Sequence, residues 1–185
     1  MNKLCILVLW AVCSLTLSGS AQDTNMLKTK IGVFESRTGL VIIKAFSQVG
    51  SILTSEGEIA IRCKESTEAA SGIRAYGMLF AINGNPTRRE RIYVDYDEID
   101  PLLDAVNYLS AITSDVTKLP AFEASYTTKS GLRIQAHCDR RNASIRYFLE
   151  YGESPRIELT PVQMTQIYDL IAQAKKALDG FKTKQ

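Results

Sequence analysis

Arg156-Ile157-Glu158-Leu159-Thr160-Pro161-Val162-Gln163 runs an alternating strand straight into a capped helix. Thr160 supplies an oxygen for an orphan backbone N–H, Pro161 suits the first helical position, and Gln163 reaches back to complete a capping box. Met164, Ile167, Tyr168, Ile171, Ala174 and Leu178 then recur at helical spacing and draw one apolar stripe. Lys175 and Lys176 suit the negative end of that helix, and Gly180 is its predicted stop.

The same plan stands 65 residues earlier. Ile92-Tyr93-Val94 leads into Asp95, which aligns with Thr160, while Glu98 aligns with Gln163. Ile99, Leu102, Leu103, Val106 and Leu109 fall on Met164, Ile167, Tyr168, Ile171 and Ala174. Pro101 is the discord, because a proline deep in a helix removes a backbone hydrogen bond. The first helix is therefore expected to open with a loose turn and to start properly with Asp100 as cap and Pro101 at its first position.

Strands precede both helices. Ile59, Ile61 and Cys63 alternate with Glu58, Arg62 and Lys64; Ile134, Ala136 and Cys138 alternate with Arg133, Gln135 and His137. Period two with one apolar face describes half-buried strands. Further strands are predicted over 38–49, 72–82, 91–94, 121–128, 143–151 and 156–159, with hairpin turns at Ser55-Glu56-Gly57 and Lys129-Ser130-Gly131. The fold class is α+β: two similar units, 38–113 and 121–180, each a four-strand antiparallel sheet with a C-terminal helix, joined by a linker at 114–120 and packed as one pseudo-symmetric domain. A lead-in at 22–37 and a frayed tail at 181–185 flank them.

This duplicated order, with its Leu159-Thr160-Pro161 junction, resembles the Whirly and PUR families of single-stranded nucleic-acid binders. The resemblance lies in element order across most of the chain and in few residues. It implies a sheet face that holds single strands, and carries over no functional residue one by one.

Residues 1–21 point to another compartment. Met1-Asn2-Lys3 is a short basic start, residues 4–17 are almost wholly apolar, and Ser18-Gly19-Ser20-Ala21 is small. That is the plan of a secretory signal peptide cut after Ala21, its core shorter than the ~20 apolar residues of a membrane span. The expected protein is secreted or periplasmic, whereas the resembled families act on intracellular nucleic acid. Losing Lys3 leaves 21 basic against 20 acidic residues, which argues against a strongly electropositive binder of nucleic acid or membrane. Cys63 and Cys138 are then the only cysteines. A disulfide between them would close a loop of about 75 residues, worth about 4 kcal/mol. The reading favours two buried free thiols, in sheets too far apart to meet.

Motifs that carry chemistry are few. His137 is the one histidine, and alternation points it away from Cys138, so the two make a poor nucleophile–base pair. One histidine with two dispersed cysteines gives no metal site, and no glycine loop suggests a phosphate cofactor. Asp95, Asp97, Glu98 and Asp100 are read as helix-start acids. Arg88-Arg89-Glu90-Arg91 is read as a solvated cluster, and Asn142-Ala143-Ser144 fits a glycosylation acceptor. The suggestive residues are cations and rings on the strands: Arg62, Lys64, Arg74, Tyr76, Arg91, Tyr93, Arg133, His137, Arg146 and Phe148. Cations can track phosphates while rings stack on bases. The competing reading pairs these arginines with Glu58, Glu150 and Glu158 across strands. The expectation is an exported, non-enzymatic binding or structural module for a protein or polymer ligand. Its alternatives are a single-stranded nucleic-acid binder and, with least support, a hydrolase.

Overall fold

The computed structural model describes residues 29–84, 89–139, 144–153 and 156–183. The predicted signal segment, most of the basic cluster's approach loop, Asn142 and the last two residues lie outside them. In chain order the elements are α1 (Lys30–Glu35), β1 (Ile42–Thr54), β2 (Gly57–Glu68), β3 (Arg74–Gly84), β4 (Arg89–Asp95), a 3-10 turn (Tyr96–Glu98), α2 (Ile99–Ala111), β5 (Ala121–Thr127), β6 (Leu132–Asp139), β7 (Ser144–Tyr151), β8 (Ile157–Leu159) and α3 (Pro161–Thr183). β1 to β4 form one four-stranded antiparallel sheet in sequential order, and β5 to β8 form a second. The α+β class with two strand-rich runs, each followed by a helix, is thus the observed architecture. Among the described residues no helix is long and apolar enough to cross a membrane.

Alternation sets the faces. Ile59, Ile61 and Cys63 on β2 sit opposite Ile82, Phe80 and Met78 on β3, and all six are buried. Ile134 and Ala136 on β6 sit opposite Leu149 and Tyr147 on β7, and all four are buried. The two sheets and two long helices share one core, which includes Phe80, Ile92, Val106, Ile134, Leu149, Ile167 and Ile171. Each helix packs beyond its own unit: α3 lies against β1, β2 and β3, α2 lies against β5 and β6, and the helices touch each other. Met164, Ile167, Ile171, Ala174 and Leu178 are fully enclosed, as are Ile99, Leu102 and Val106. Each large aliphatic side chain so enclosed contributes on the order of 2 kcal/mol.

Both predicted hairpin turns form, with Gly57 at φ 140° and Gly131 at φ 92°. At Gly57 a Cβ would fall 2.2 Å from the Asn83 carbonyl oxygen, so both space and backbone demand glycine. The capping box is realised: the Thr160 N–H donates to Gln163 Oε1 at 2.8 Å and the Gln163 N–H to Thr160 Oγ1 at 3.2 Å.

The expected caps and several element ends are corrected. Asp95 and Glu98 do not cap α2. Asp95 accepts from the N–H groups of Lys30 and Ile31 at 2.7 and 3.0 Å, and Glu98 Oε1 accepts from the Lys129 N–H at 2.7 Å. The expected loose turn is the 3-10 turn Tyr96–Glu98, but α2 then starts at Ile99 with no side-chain cap instead of at Pro101 with Asp100 as cap; Pro101 stays in the first turn, where the missing N–H has no partner to lose. Gly180 does not stop α3, which runs to Thr183 and carries Lys182 to 3.6 Å from the Tyr96 ring centre. The lead-in contains α1, a helix too short to show a period. The first strand starts at Ile42, after Gly39 turns the chain at φ 76°, and continues to the hairpin.

Candidate functional site

Eight of the ten singled-out residues fall on two outer sheet faces. Arg62 and Lys64 on β2, with Arg91 and Tyr93 on β4, occupy the side of the first sheet turned away from the core, as the buried partners Ile61, Cys63, Ile92 and Val94 dictate. Arg133 and His137 on β6, with Arg146 and Phe148 on β7, occupy the corresponding side of the second sheet. Arg74 and Tyr76 join neither group. They share the parity of Met78 and Phe80, so Tyr76 packs against the core and Arg74 sits exposed at the mouth of β3, 3.9 Å from Glu65. The strands' period, counted from the buried residues, was the signal that separates these two from the rest.

The outer face of the first sheet is covered by α1. Ile31 packs on Leu79 and Tyr93, and the Glu35 carboxylate lies among strand side chains. Lys64 Nζ is 2.6 Å from Glu35 Oε1, Lys44 Nζ is 2.8 Å from Glu35 Oε2, and the Ser66 hydroxyl donates to the same carboxylate. Lys64 is 1% exposed, with its ammonium 3.8 Å from the Tyr93 ring centre and 5.2 Å from that of Phe46. Burial works to raise the Glu35 carboxyl, but the Lys44 and Lys64 ammonium groups and the Ser66 hydroxyl outweigh it and hold it below its ordinary value. Burial pulls Lys64 below its own ordinary value, against the opposing influence of Glu35. Arg62 and Arg91 lie beside this cluster, and Arg91 is exposed.

The outer face of the second sheet is a cross-strand network. His137 Nε2 lies 2.9 Å from Gln135 Oε1 and 3.5 Å from Glu123. Gln135 Nε2 donates to Glu150 at 2.9 Å, and Arg133, paired with Glu150 in the register, approaches it to 3.9 Å. Phe148 points outward yet is only 3% exposed. The guanidinium groups of Arg146 and Arg156 stand 5.5 and 4.5 Å from its ring centre, and His137 meets it edge-on at 5.0 Å. Arg156 was not singled out in the sequence, because its position beside Phe148 comes from the β7–β8 register. At the end of this sheet a cleft of ≈ 350 Å³ is lined by His137, Cys138, Asp139, Ser144 and Arg146. Cys138 there belongs to the core-facing series of β6, opposite His137. Both Cys138 and Cys63 are buried and unbonded. Cys63 Sγ is 3.5 Å from the Ala174 carbonyl, and burial pushes its thiol above the ordinary value, an unreactive setting.

A third surface escaped the sequence reading. Among the described residues, β1 has a strand on one side only. A register shift between Gln48 and Gly50 divides it. Beyond the shift, Gly50 admits the Leu170 side chain, and Gln163 Nε2 donates to the Leu53 carbonyl at 2.7 Å. Before it, residues 43–48 are all exposed, including Ile43 at 55% and Phe46 at 47%. Beside this half lies a largely apolar groove of ≈ 200 Å³, lined by Ala45, Phe46, Ser47, Cys63, Lys64, Glu65 and Phe181. Phe181 closes one wall because α3 overruns Gly180.

Comparison with family models, curated proteins and solved structures returns no match to this chain.

Proposed function

We propose that the protein is an exported, non-enzymatic binding module that takes an extended polypeptide segment along the free half of β1. The observation that carries this reading is the exposed, one-sided run 43–48 beside an apolar groove. An added strand gains main-chain hydrogen bonds along such an edge, and a side pocket selects alternate residues of the ligand. Edges left open in stable proteins are usually guarded by charge; this half carries a single charged residue, Lys44, which is engaged by Glu35. A groove of this volume has room for one or two side chains.

Single-stranded nucleic acid has less support as the ligand. Its binding asks for open ring faces. Tyr93 is taken up by Lys64, Phe148 by Arg146 and Arg156, and Tyr76 by the core. Selection of random peptides on the secreted protein tests the reading. Enriched peptides should bind, and Ile43→Lys with Ala45→Lys should abolish binding while leaving the fold intact. Binding that survives both substitutions defeats it. The secreted chain should also begin near Gln22, and Edman sequencing that starts at Met1 removes the export half of the proposal.

A further inference from the structure

The sheet, not the helix, builds the cradle around the Glu35 carboxylate. Lys44 comes from β1, Lys64 and Ser66 from β2, and the walls Phe46 and Tyr93 from β1 and β4. Two ammonium groups and one hydroxyl converge on one carboxylate, and the central group, the Lys64 ammonium, is 0% exposed and 2.6 Å from Glu35 Oε1. A cation set this deep is costly to leave without a counter-anion.

The present occupant is lightly tethered. α1 has six residues, and Ile31 is its only apolar side chain buried against the sheet. Its remaining ties are partly exposed: Lys30 to Asp97 at 2.9 Å and, just past the helix, Arg37 to Glu68 at 3.1 Å. Exposed pairs of this kind add little. Apart from the Glu35 carboxylate, buried polar contacts sit at its start, where Asp95 accepts from the Lys30 and Ile31 N–H groups and Thr29 Oγ1 from the Gly32 N–H. Gly39, at φ 76°, supplies a bend between α1 and β1.

We infer that the outer face of the first sheet is a carboxylate-binding site for an acidic side chain of a partner polypeptide, and that Glu35 fills it in the closed chain. α1 leaves when a competing carboxylate arrives, because Lys64 does not tolerate the vacancy between them. A carboxylate is the group the cradle already fits. The rings flanking it face the Lys64 ammonium and offer no platform for bases, and the chain carries no large positive excess to gather a polyanion. The site adjoins the β1 groove, whose lining includes Phe46 and Lys64, but it holds a carboxylate where the groove takes an apolar side chain against Phe181.

Glu35→Ala empties the cradle and provides the test. At constant ionic strength, acetate should raise the melting temperature of Glu35→Ala more than that of the wild type, and an oligo-glutamate peptide should bind the variant at least about ten-fold more tightly, since α1 no longer competes. Adding Lys64→Met should remove both effects. Equal responses of wild type and variant, effects that persist without Lys64, or a preference for oligothymidylate over oligo-glutamate would each overturn the inference. Should Glu35→Ala fail to fold, amide exchange of the wild type decides. Saturating oligo-glutamate should speed exchange at residues 30–36, and unchanged rates there contradict the proposal.

Discussion

Glu35 and Lys64 concentrate the residue-scale physics. Their pair is enclosed, so removing one partner strands the other; Glu35→Ala should cost about 3 kcal/mol in urea denaturation, the usual penalty for breaking a buried pair. The carboxyl's folded pKa lies below its ordinary value, so its stabilisation is complete above the ordinary carboxylate range and is lost as pH falls through the depressed value. Lys44, Lys64 and the Ser66 hydroxyl face it, with Arg91 beside Lys64. Amide protection of α1 should therefore disappear in acid before that of β2 and β3. Simultaneous loss would show that α1 is no separate unit. Lys64 was visible in the sequence as a strand cation, but its burial was not, because the covering helix shows no period and its anion is 29 positions away.

At the scale of elements, two acids that look like helix caps in the sequence serve distant backbone instead. Asp95 holds the start of α1 and Glu98 holds the β5–β6 turn. Asp95→Ala should release α1 yet leave α2 protected from amide exchange; loss of α2 protection would restore Asp95 as its cap. Thr160→Ala should instead weaken α3 by about 1 kcal/mol, the ordinary worth of an N-cap. The distinction is physical. Thr160 and Gln163 satisfy one another locally, so their spacing alone reveals them. A carboxylate beside a helix start has many possible donors, and sequence spacing cannot choose between them. Strand faces and helix stripes were legible for the same reason, since burial follows local period. The ends of β1 and α3 were not, because a register shift and packing against Tyr96 fix them.

For the molecule as a whole, the helices bind the two runs together. α3 covers the first sheet and α2 packs on the second, so each half lacks part of its cover when alone. Separately expressed 22–113 and 114–185 should each give collapsed, poorly dispersed amide spectra, and mixing them should restore dispersion. Two independently folded halves would contradict a single core. Sequence periodicity pointed to two sheets and two helices, but not to which helix covers which sheet, since stripes record that a face is buried and not against what. The free half of β1 was hidden for a related reason: an edge is a property of the assembled sheet. Residue-resolved amide exchange with a selected peptide bound tests the binding account most directly. Inward N–H groups of β1 already bond to β2, so new protection should appear at alternate residues within 43–48. Protection appearing around His137 and Phe148 instead, with 43–48 unchanged, would contradict it.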